Sequence, residues 1–293
     1  MPLSVKIDTS FIVPLLKHLS NPSKESLIEI TNHEAAKKTH SHALRTRNTT
    51  KSITSFWKQI MNDLSKKKDL IDYVKQSLTF IHNETNTFDK LLKELWKEFP
   101  EGTHLRSVLY TNLGYDIGIV SEGCALINIG HEEFHKNPQE ILFMAMHELH
   151  HVVYTAYNTF FDLTQVHRFD QLCDIVKYCT HMEGLAVYST LGPRRNANVL
   201  NNRDYRLFLD EKAKSKRVSD YFDILTDLEI RDDAPLQEED WHVLERLSDR
   251  NRLWYVTGAH MAQLIDKKLG HDTLIETIRM GPDYFFKMYH ESF

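Results

Sequence analysis

Residues 141–154 read ILFMAMHELHHVVY, and this stretch decides how the central part of the chain folds. Its apolar residues recur at helical spacing, so the pattern predicts one long helix with an apolar stripe, begun by Pro138 as a first-turn proline. Within it, His147, Glu148 and His151 form an HExxH motif. Two histidines four residues apart share one helix face, so both imidazoles can bind one zinc ion. The glutamate between them can then accept the proton of a zinc-activated water.

A catalytic zinc site needs a third protein ligand and one position left for water. The best candidate is Glu183, which opens the segment Glu183-Gly-Leu-Ala-Val-Tyr188 on a second helical stretch. The small residues Gly184 and Ala186 would let this helix approach the HExxH helix closely, so that an inward carboxylate completes a His₂Glu site. Other side chains stay open as the third ligand, namely His181, His167 and Asp174.

A second HExxH sequence stands earlier in the chain, at residues 131–135. It follows Gly130 and runs into Pro138, so it has room for about one turn of helix among polar neighbours. The chain holds 17 histidines, which raises the frequency of chance matches. Because a ligand pair needs a stable helix, we assign the metal site to the copy at His147 and His151.

The HELHH sequence followed by EGLAVY resembles the gluzincin-type zinc metallopeptidases. More closely, it resembles the group of predicted zinc-dependent peptidases that share an HExxH…EGxAxY pattern. The stretches Tyr255–Asp266 and Met280–Pro282 are similar to the ending of that group, and the resemblance covers roughly residues 105–290. It implies that His147, His151 and Glu183 are zinc ligands and that Glu148 is the general base.

The chain departs from the gluzincin pattern at several points. Thirty-one residues separate His151 from Glu183, so an extra helix or loop must intervene. Val187 stands where some gluzincins carry an acidic residue that supports a histidine ligand, so such a partner must come from elsewhere, and Asp174 and Asp162 are both candidates. The signature that binds a free substrate amine in the large aminopeptidase family is absent.

Hydrolysis at such a site also needs a donor that stabilises the oxyanion. The resemblance places the C-terminal helix near the site, and we expect Tyr255 to be this donor. His260 and Tyr188 are alternatives, and for each of the three a ring packed in the core is an equally good interpretation. The segment Ala125–Ile129 is either an edge strand that pairs with substrate backbone or an ordinary interior strand.

The patterns predict a mainly α (α+β) protein with a zincin-like core. Residues 1–104 are expected to form a helical N-terminal region, with a polar loop or poorly packed helix at residues 33–50. Residues 105–293 are expected to form a zincin-like metallopeptidase domain with a helical C-terminal part. The strand signals lie between residues 105 and 130, in the short apolar runs Leu105–Tyr110, Ile117–Val120 and Cys124–Gly130.

The composition of the chain excludes several classes of protein. The chain of 293 residues is 41% hydrophobic, enough for a sizeable core, and its net charge of −5 gives no basic field for nucleic acid or an anionic membrane. Three scattered cysteines form no disulfide framework, and neither a signal peptide nor a membrane-spanning stretch is recognisable. We therefore expect a soluble, cytoplasmic protein.

The function that the sequence predicts is hydrolysis of peptide bonds in a peptide or protein substrate by zinc-activated water, with Glu148 as general base. Two alternatives stay open. One is a non-catalytic metal-binding or regulatory protein on a zincin-like fold, against which an intact Glu148 argues. The other is a zinc hydrolase of a non-peptide amide.

Overall fold

The computed structural model describes residues 3–159 and 161–293. They form two compact units, the first from residues 3–96 and 102–153 and the second from residues 97–101 and 154–293. The described chain is mainly helical with a small sheet, which confirms the predicted fold class. The division into two regions at residue 104 stays a prediction. None of the described helices is long and apolar enough to cross a membrane.

The first unit contains a four-stranded sheet with the spatial order β1-β2-β4-β3. Its strands are β1 (Leu3–Asp8), β2 (Leu105–Asn112), β3 (Gly118–Ser121) and β4 (Cys124–Asn128). The first three in spatial order are parallel, and β3 runs antiparallel to β4. The helical expectation for the first hundred residues missed β1, although Val5 and Ile7 alternate with the charged Lys6 and Asp8 as they do in a strand.

The order of the strands decides the open question about Ala125–Ile129. Strand β4 lies between β2 and β3 and is therefore an interior strand, whereas β3 is the edge next to it. A turn of two residues, Glu122 and Gly123, joins β3 to β4, and both have positive φ (49° and 72°). This is the backbone of a tight hairpin turn whose twist matches that of the strands.

The expectation of a loop or a poorly packed helix at residues 33–50 is wrong for residues 34–45. This stretch is a regular helix, α3, with Ala35, Ala36, Thr39 and Ala43 buried. Its inner face consists of small residues, which a search for large apolar side chains overlooks. The helices of the first unit are α1 (Ile12–Ser20), α2 (Lys24–Asn32), α3 (Glu34–Arg45), α4 (Ile53–Leu64), α5 (Leu70–Asn83), α6 (Thr85–Leu95), α7 (Glu132–Lys136) and α8 (Glu140–Tyr157).

Helix α8 covers one face of this sheet. Its residues Ile141 and Ala145 line a small apolar space together with Leu109 of β2 and Ile127 of β4. Side chains alternate between the two faces along a strand, so Asn112 of β2 lies on the face opposite to Leu109. There the amide of Asn112 donates to Thr39 Oγ1 of α3 at 3.0 Å. Helices therefore cover both faces of the sheet, and α8 is fixed along its apolar stripe.

The second unit is helical. Its helices are α9 (Phe169–Asn196), α10 (Arg203–Leu209), α11 (Glu211–Arg231), α12 (His242–Glu245), α13 (Leu253–Leu269), α14 (His271–Met280) and α15 (Pro282–Glu291). Helices α9 and α13 touch through glycines: a Cβ on Gly184 would lie 2.8 Å from Ala259 N, and one on Gly258 would lie 2.7 Å from Gly184 Cα. Gly184 was expected to allow a close approach of the HExxH helix. In the structure it packs against α13.

Candidate metal centre

The motif at residues 147–151 lies in the interior of α8, with seven helical residues before it and six after it. One turn of helix therefore separates His147 from His151, and their ring centroids are 4.4 Å apart. His151 is buried and His147 is half-buried. Because α8 is anchored on the sheet, the two imidazoles are held on one face by the helix backbone.

Glu183 lies in α9, and the structure brings it together with the two histidines. The three side chains each offer one ligand atom, and these atoms all lie within 4.8 Å of one another. Glu183 is half-buried, which agrees with a carboxylate that faces an accessible site. Sequence spacing alone could not predict this meeting, because residues 158–168 and the first half of α9 intervene.

The donor set fits a zinc ion. Two imidazole nitrogens and one carboxylate oxygen are the protein ligands of a catalytic zinc that keeps a fourth position open. Ligand atoms at zinc distances in a tetrahedral site lie about 3.4 Å apart. The spacing within 4.8 Å therefore needs only a small contraction of the three side chains around an ion.

Glu148 is buried beside the edge strand β3. A Cβ added to Gly118 would lie 2.8 Å from the Cδ of Glu148, so the absence of a side chain at Gly118 makes room for this carboxylate. Sequence analysis missed Gly118. The signal was the glycine inside the apolar run Ile117–Val120, since a glycine within a strand often marks a close approach of another group.

The first HExxH copy is built differently. His131 lies outside the five-residue helix α7 as its N-cap, where its Nδ1 accepts from the backbone N–H of Glu133 at 3.3 Å. His135 stacks on Tyr73 with ring centroids 3.6 Å apart. Among the described residues, the one His/Cys/Asp/Glu group with metal-ligand spacing is the set on α8 and α9, and it includes neither of these histidines.

A comparison with protein-family models gives a match over residues 17–293, to the family described as "Putative zinc dependent peptidase (DUF5700)". The chain belongs to this family. The match includes most of the N-terminal helices, beyond the part of the chain that the motif resemblance covers. No curated protein and no solved structure matches the chain.

The other candidates for the third ligand are His181, Asp174 and His167, and none of them belongs to the group on α8 and α9. The ring of His181 is completely buried, with Nδ1 3.0 Å from Tyr154 Oη and Nε2 3.0 Å from Thr277 Oγ1. Burial lowers its pKa to about 3, so it is a neutral core histidine. Burial and then the neighbouring Asp283 raise the pKa of Asp174. His167 precedes α9, and its backbone N–H donates to the Gln171 side chain.

The candidates for the oxyanion donor have distinct surroundings. Tyr188 donates to Asp266 Oδ2 at 2.5 Å. His260 has a buried Nδ1 with no hydrogen-bond partner in the described part of the chain, and burial lowers its pKa. Tyr255 is half-buried in the first turn of α13, and the guanidinium of Arg252 lies 3.4 Å from its ring centroid. Of the proposed partners for a histidine ligand, Asp162 accepts from Thr164 as the cap of a short 3₁₀ turn.

Proposed function

We propose that the chain is a zinc metallopeptidase in which His147, His151 and Glu183 hold the ion and Glu148 is the general base. One observation carries this proposal. Each of the three side chains offers one ligand atom, and these three atoms all lie within 4.8 Å of one another. Two imidazoles and one carboxylate are the His₂Glu set of a gluzincin, and family membership supports the choice of zinc and of peptides.

When bound, zinc would supply a Lewis acid that polarises the substrate carbonyl and lowers the pKa of the attacking water. The chain's own residues supply the remaining steps. Glu148 takes a proton from the attacking water and then delivers it to the amine that leaves the broken peptide bond. Its carboxylate is buried beside Gly118 of β3. Tyr255 is our candidate for the donor that stabilises the negative charge on the former carbonyl oxygen.

At Gly118 the outer edge of β3 has no strand paired with it in the described part of the chain, and this supports a peptide substrate over a non-peptide amide. The carbonyl of Ile117 accepts from Asn128 of the neighbouring chain segment at 3.0 Å. Hydrogen-bonding directions alternate along an antiparallel strand, so Gly118 and Val120 direct their backbone groups away from β4. The Val120 carbonyl accepts from Arg45 Nη2 at 3.2 Å. Gly118, which lies against Glu148, can therefore pair with the backbone of an extended peptide.

The test compares the two glutamates that occupy the same motif position. A peptide library would be incubated with the zinc-loaded wild type, Glu148→Gln and Glu132→Gln, and cleavage would be followed by mass spectrometry together with zinc content. We expect Glu148→Gln to keep its zinc and to lose at least about 100-fold in kcat/KM, because general-base catalysis contributes that much. Glu132→Gln is the matched control and should cleave as the wild type does.

The outcome also decides between the proposal and its alternatives. Cleavage by Glu148→Gln at the wild-type rate would remove Glu148 from the reaction. Stoichiometric zinc without cleavage of any peptide would favour a metal-binding or regulatory protein, and turnover of simple amides alone would favour a non-peptide hydrolase.

A further inference from the structure

The outer edge of β3 presents backbone groups at every second residue. In the antiparallel ladder with β4, Ser121 pairs with Cys124 across the two-residue turn, and Gly118 pairs with Ile127. Hydrogen-bonding directions alternate along the ladder, so the N–H and C=O groups of Gly118 and Val120 point away from β4. These two residues lie about 7 Å apart along the strand. An extended peptide therefore finds two places on this edge where it can pair.

An arginine occupies the second of these places. Nη2 of Arg45, the last residue of α3, donates to the Val120 carbonyl at 3.2 Å. The N–H of a paired peptide would need a position about 2.9 Å from the same oxygen. The guanidinium therefore competes with the substrate backbone for this acceptor, and a peptide N–H left without an acceptor at a buried edge costs free energy.

Other contacts of α3 hold Arg45 at this place. The ammonium of Lys38 lies 3.1 Å from the carboxylate of Glu122, directly after β3. At the other end of β3, His42 Nδ1 lies 3.2 Å from Tyr115 Oη. Arg45 itself is half-buried. Helix α3 is therefore fixed along β3, and its last residue has a defined position at the edge.

The first place on the edge lies at the proposed general base. A Cβ added to Gly118 would lie 2.8 Å from the Cδ of Glu148, so a peptide residue that pairs with Gly118 is next to the bond to be cleaved. Antiparallel pairing is slightly more stable than parallel pairing. Because β3 runs from Gly118 to Ser121, an antiparallel peptide has its N-terminal residues on the side of Val120.

We propose that Arg45 is a specificity-determining residue that ends the pairing of the substrate backbone about two residues before the cleaved bond, on its N-terminal side. This inference rests on the proposed function, since it needs a peptide substrate and Glu148 as the base. Residues further toward the N-terminus gain no hydrogen bond on β3. Peptides that are cleaved close to their N-terminus are therefore sufficient substrates.

The experiment measures kcat/KM for a cleaved peptide that is lengthened by one alanine at a time, with an acetylated N-terminus so that its charge stays constant. For the wild type we expect kcat/KM to stop rising after about two residues before the cleaved bond. Arg45→Met keeps the apolar stem and frees the Val120 carbonyl. Its kcat/KM should rise over about two further residues, by about 2- to 10-fold for each hydrogen bond gained.

Lys38→Met is the matched control. Lys38 is also a cation of α3 at the end of β3, but it contacts the side chain of Glu122 and no backbone acceptor of the edge. Its dependence on peptide length should equal that of the wild type. Lengthening the peptide at its C-terminus is a second control and should affect the wild type and Arg45→Met equally. If Arg45→Met does not fold, the wild-type series alone decides the question.

The outcomes separate this inference from the function on which it rests. A wild-type kcat/KM that keeps rising with longer N-terminal extensions would overturn the role of Arg45. The same length dependence in Arg45→Met and the wild type would overturn it too, as would a change confined to the C-terminal series. In these cases cleavage that is lost in Glu148→Gln would leave the proposed function standing. A wild type that cleaves no peptide would overturn both.

Discussion

The two HExxH sequences of this chain share a pattern but differ in structure. At residues 131–135 the first histidine is the N-cap of a five-residue helix, with ψ of 141° in the extended region, so His131 and His135 do not share a helix face. At residues 147–151 both histidines lie within an 18-residue helix packed on a sheet. An HExxH sequence can therefore present both histidines to one ion only where the surrounding residues form a longer helix.

The two copies differ because starting a helix costs free energy. A first turn fixes several residues for one hydrogen bond, so short helices depend on caps and packing. In α7 the histidine is used as that cap, through its ring nitrogen. In α8 the buried apolar residues on both sides of the motif fix the helix, so that no histidine is needed as a cap. Substitutions at three places test this difference between the two copies.

The largest expected effect is the loss of a ligand from the second copy. His151→Ala removes one of three protein donors, so we expect zinc to bind at least about 100-fold more weakly, more than the loss of an outer partner costs. The matched change in the first copy, His135→Ala, should leave zinc content at the wild-type value. Zinc content after dialysis, measured by mass spectrometry, checks both. Zinc lost from His135→Ala and kept by His151→Ala would reverse the assignment.

A smaller loss of function is expected when alanine replaces Gly118, which lies beside the second copy. The matched change beside the first copy is Gly130→Ala. Gly118→Ala would push a Cβ against the Glu148 carboxylate, so we expect zinc to be retained and kcat/KM to fall by about 10-fold or more through displacement of the base. In Gly130→Ala the Cβ would lie 2.8 Å from Leu70 Cδ1, a side-chain contact away from the motif at His147.

The second glycine variant is the control for overpacking. Gly130→Ala should cost about 1–3 kcal/mol in the free energy of unfolding, because a core position is crowded, yet leave kcat/KM unchanged while folded. Urea unfolding and peptide cleavage separate the two variants. Wild-type activity in Gly118→Ala would argue against a catalytic role for the Glu148 carboxylate in its present place.

The part of the candidate metal centre that lies on α8 could be predicted from the sequence, because its information is local. The spacing of His147 and His151 and the apolar stripe around them place both rings on one helix face, and the family match agrees with the chemistry expected of this motif. The mainly helical fold and three of the four strands follow from periodicity in the same way. For the third ligand the sequence leaves several carboxylates and histidines possible, and the ligand role of Glu183 stays a prediction.

What the sequence did not predict depends on long-range pairing. The strand β1 pairs with β2, about a hundred residues later, and only this pairing makes its short alternation a strand. The position of β3 at the edge follows from strand order, which no local pattern contains. Arg45 shows the same limit, because the Val120 carbonyl that it contacts lies 75 residues later in the chain and no local pattern joins the two.

The smallest change in stability is expected from substitutions of His131, the cap of α7. His131→Asn replaces the ring by the amide of a strong N-cap residue, and His131→Ala removes the cap. We expect His131→Ala to lower the free energy of unfolding by about 0.5–1 kcal/mol at pH 8, with His131→Asn close to the wild type. Neither variant should change zinc content, and urea unfolding measures the difference.

The stability that the His131 cap contributes should depend on pH. Burial lowers the pKa of His131 in the folded chain below its usual value near 6.5. The neutral ring is also the form that can accept from the Glu133 N–H as the cap. The unfolded chain then binds the proton more strongly, so this contribution is fully present above pH 6.5 and is lost as the pH falls below it. The wild type should lose stability relative to His131→Asn between pH 7 and pH 5. A constant difference over that range would mean that His131 is not the titrating cap.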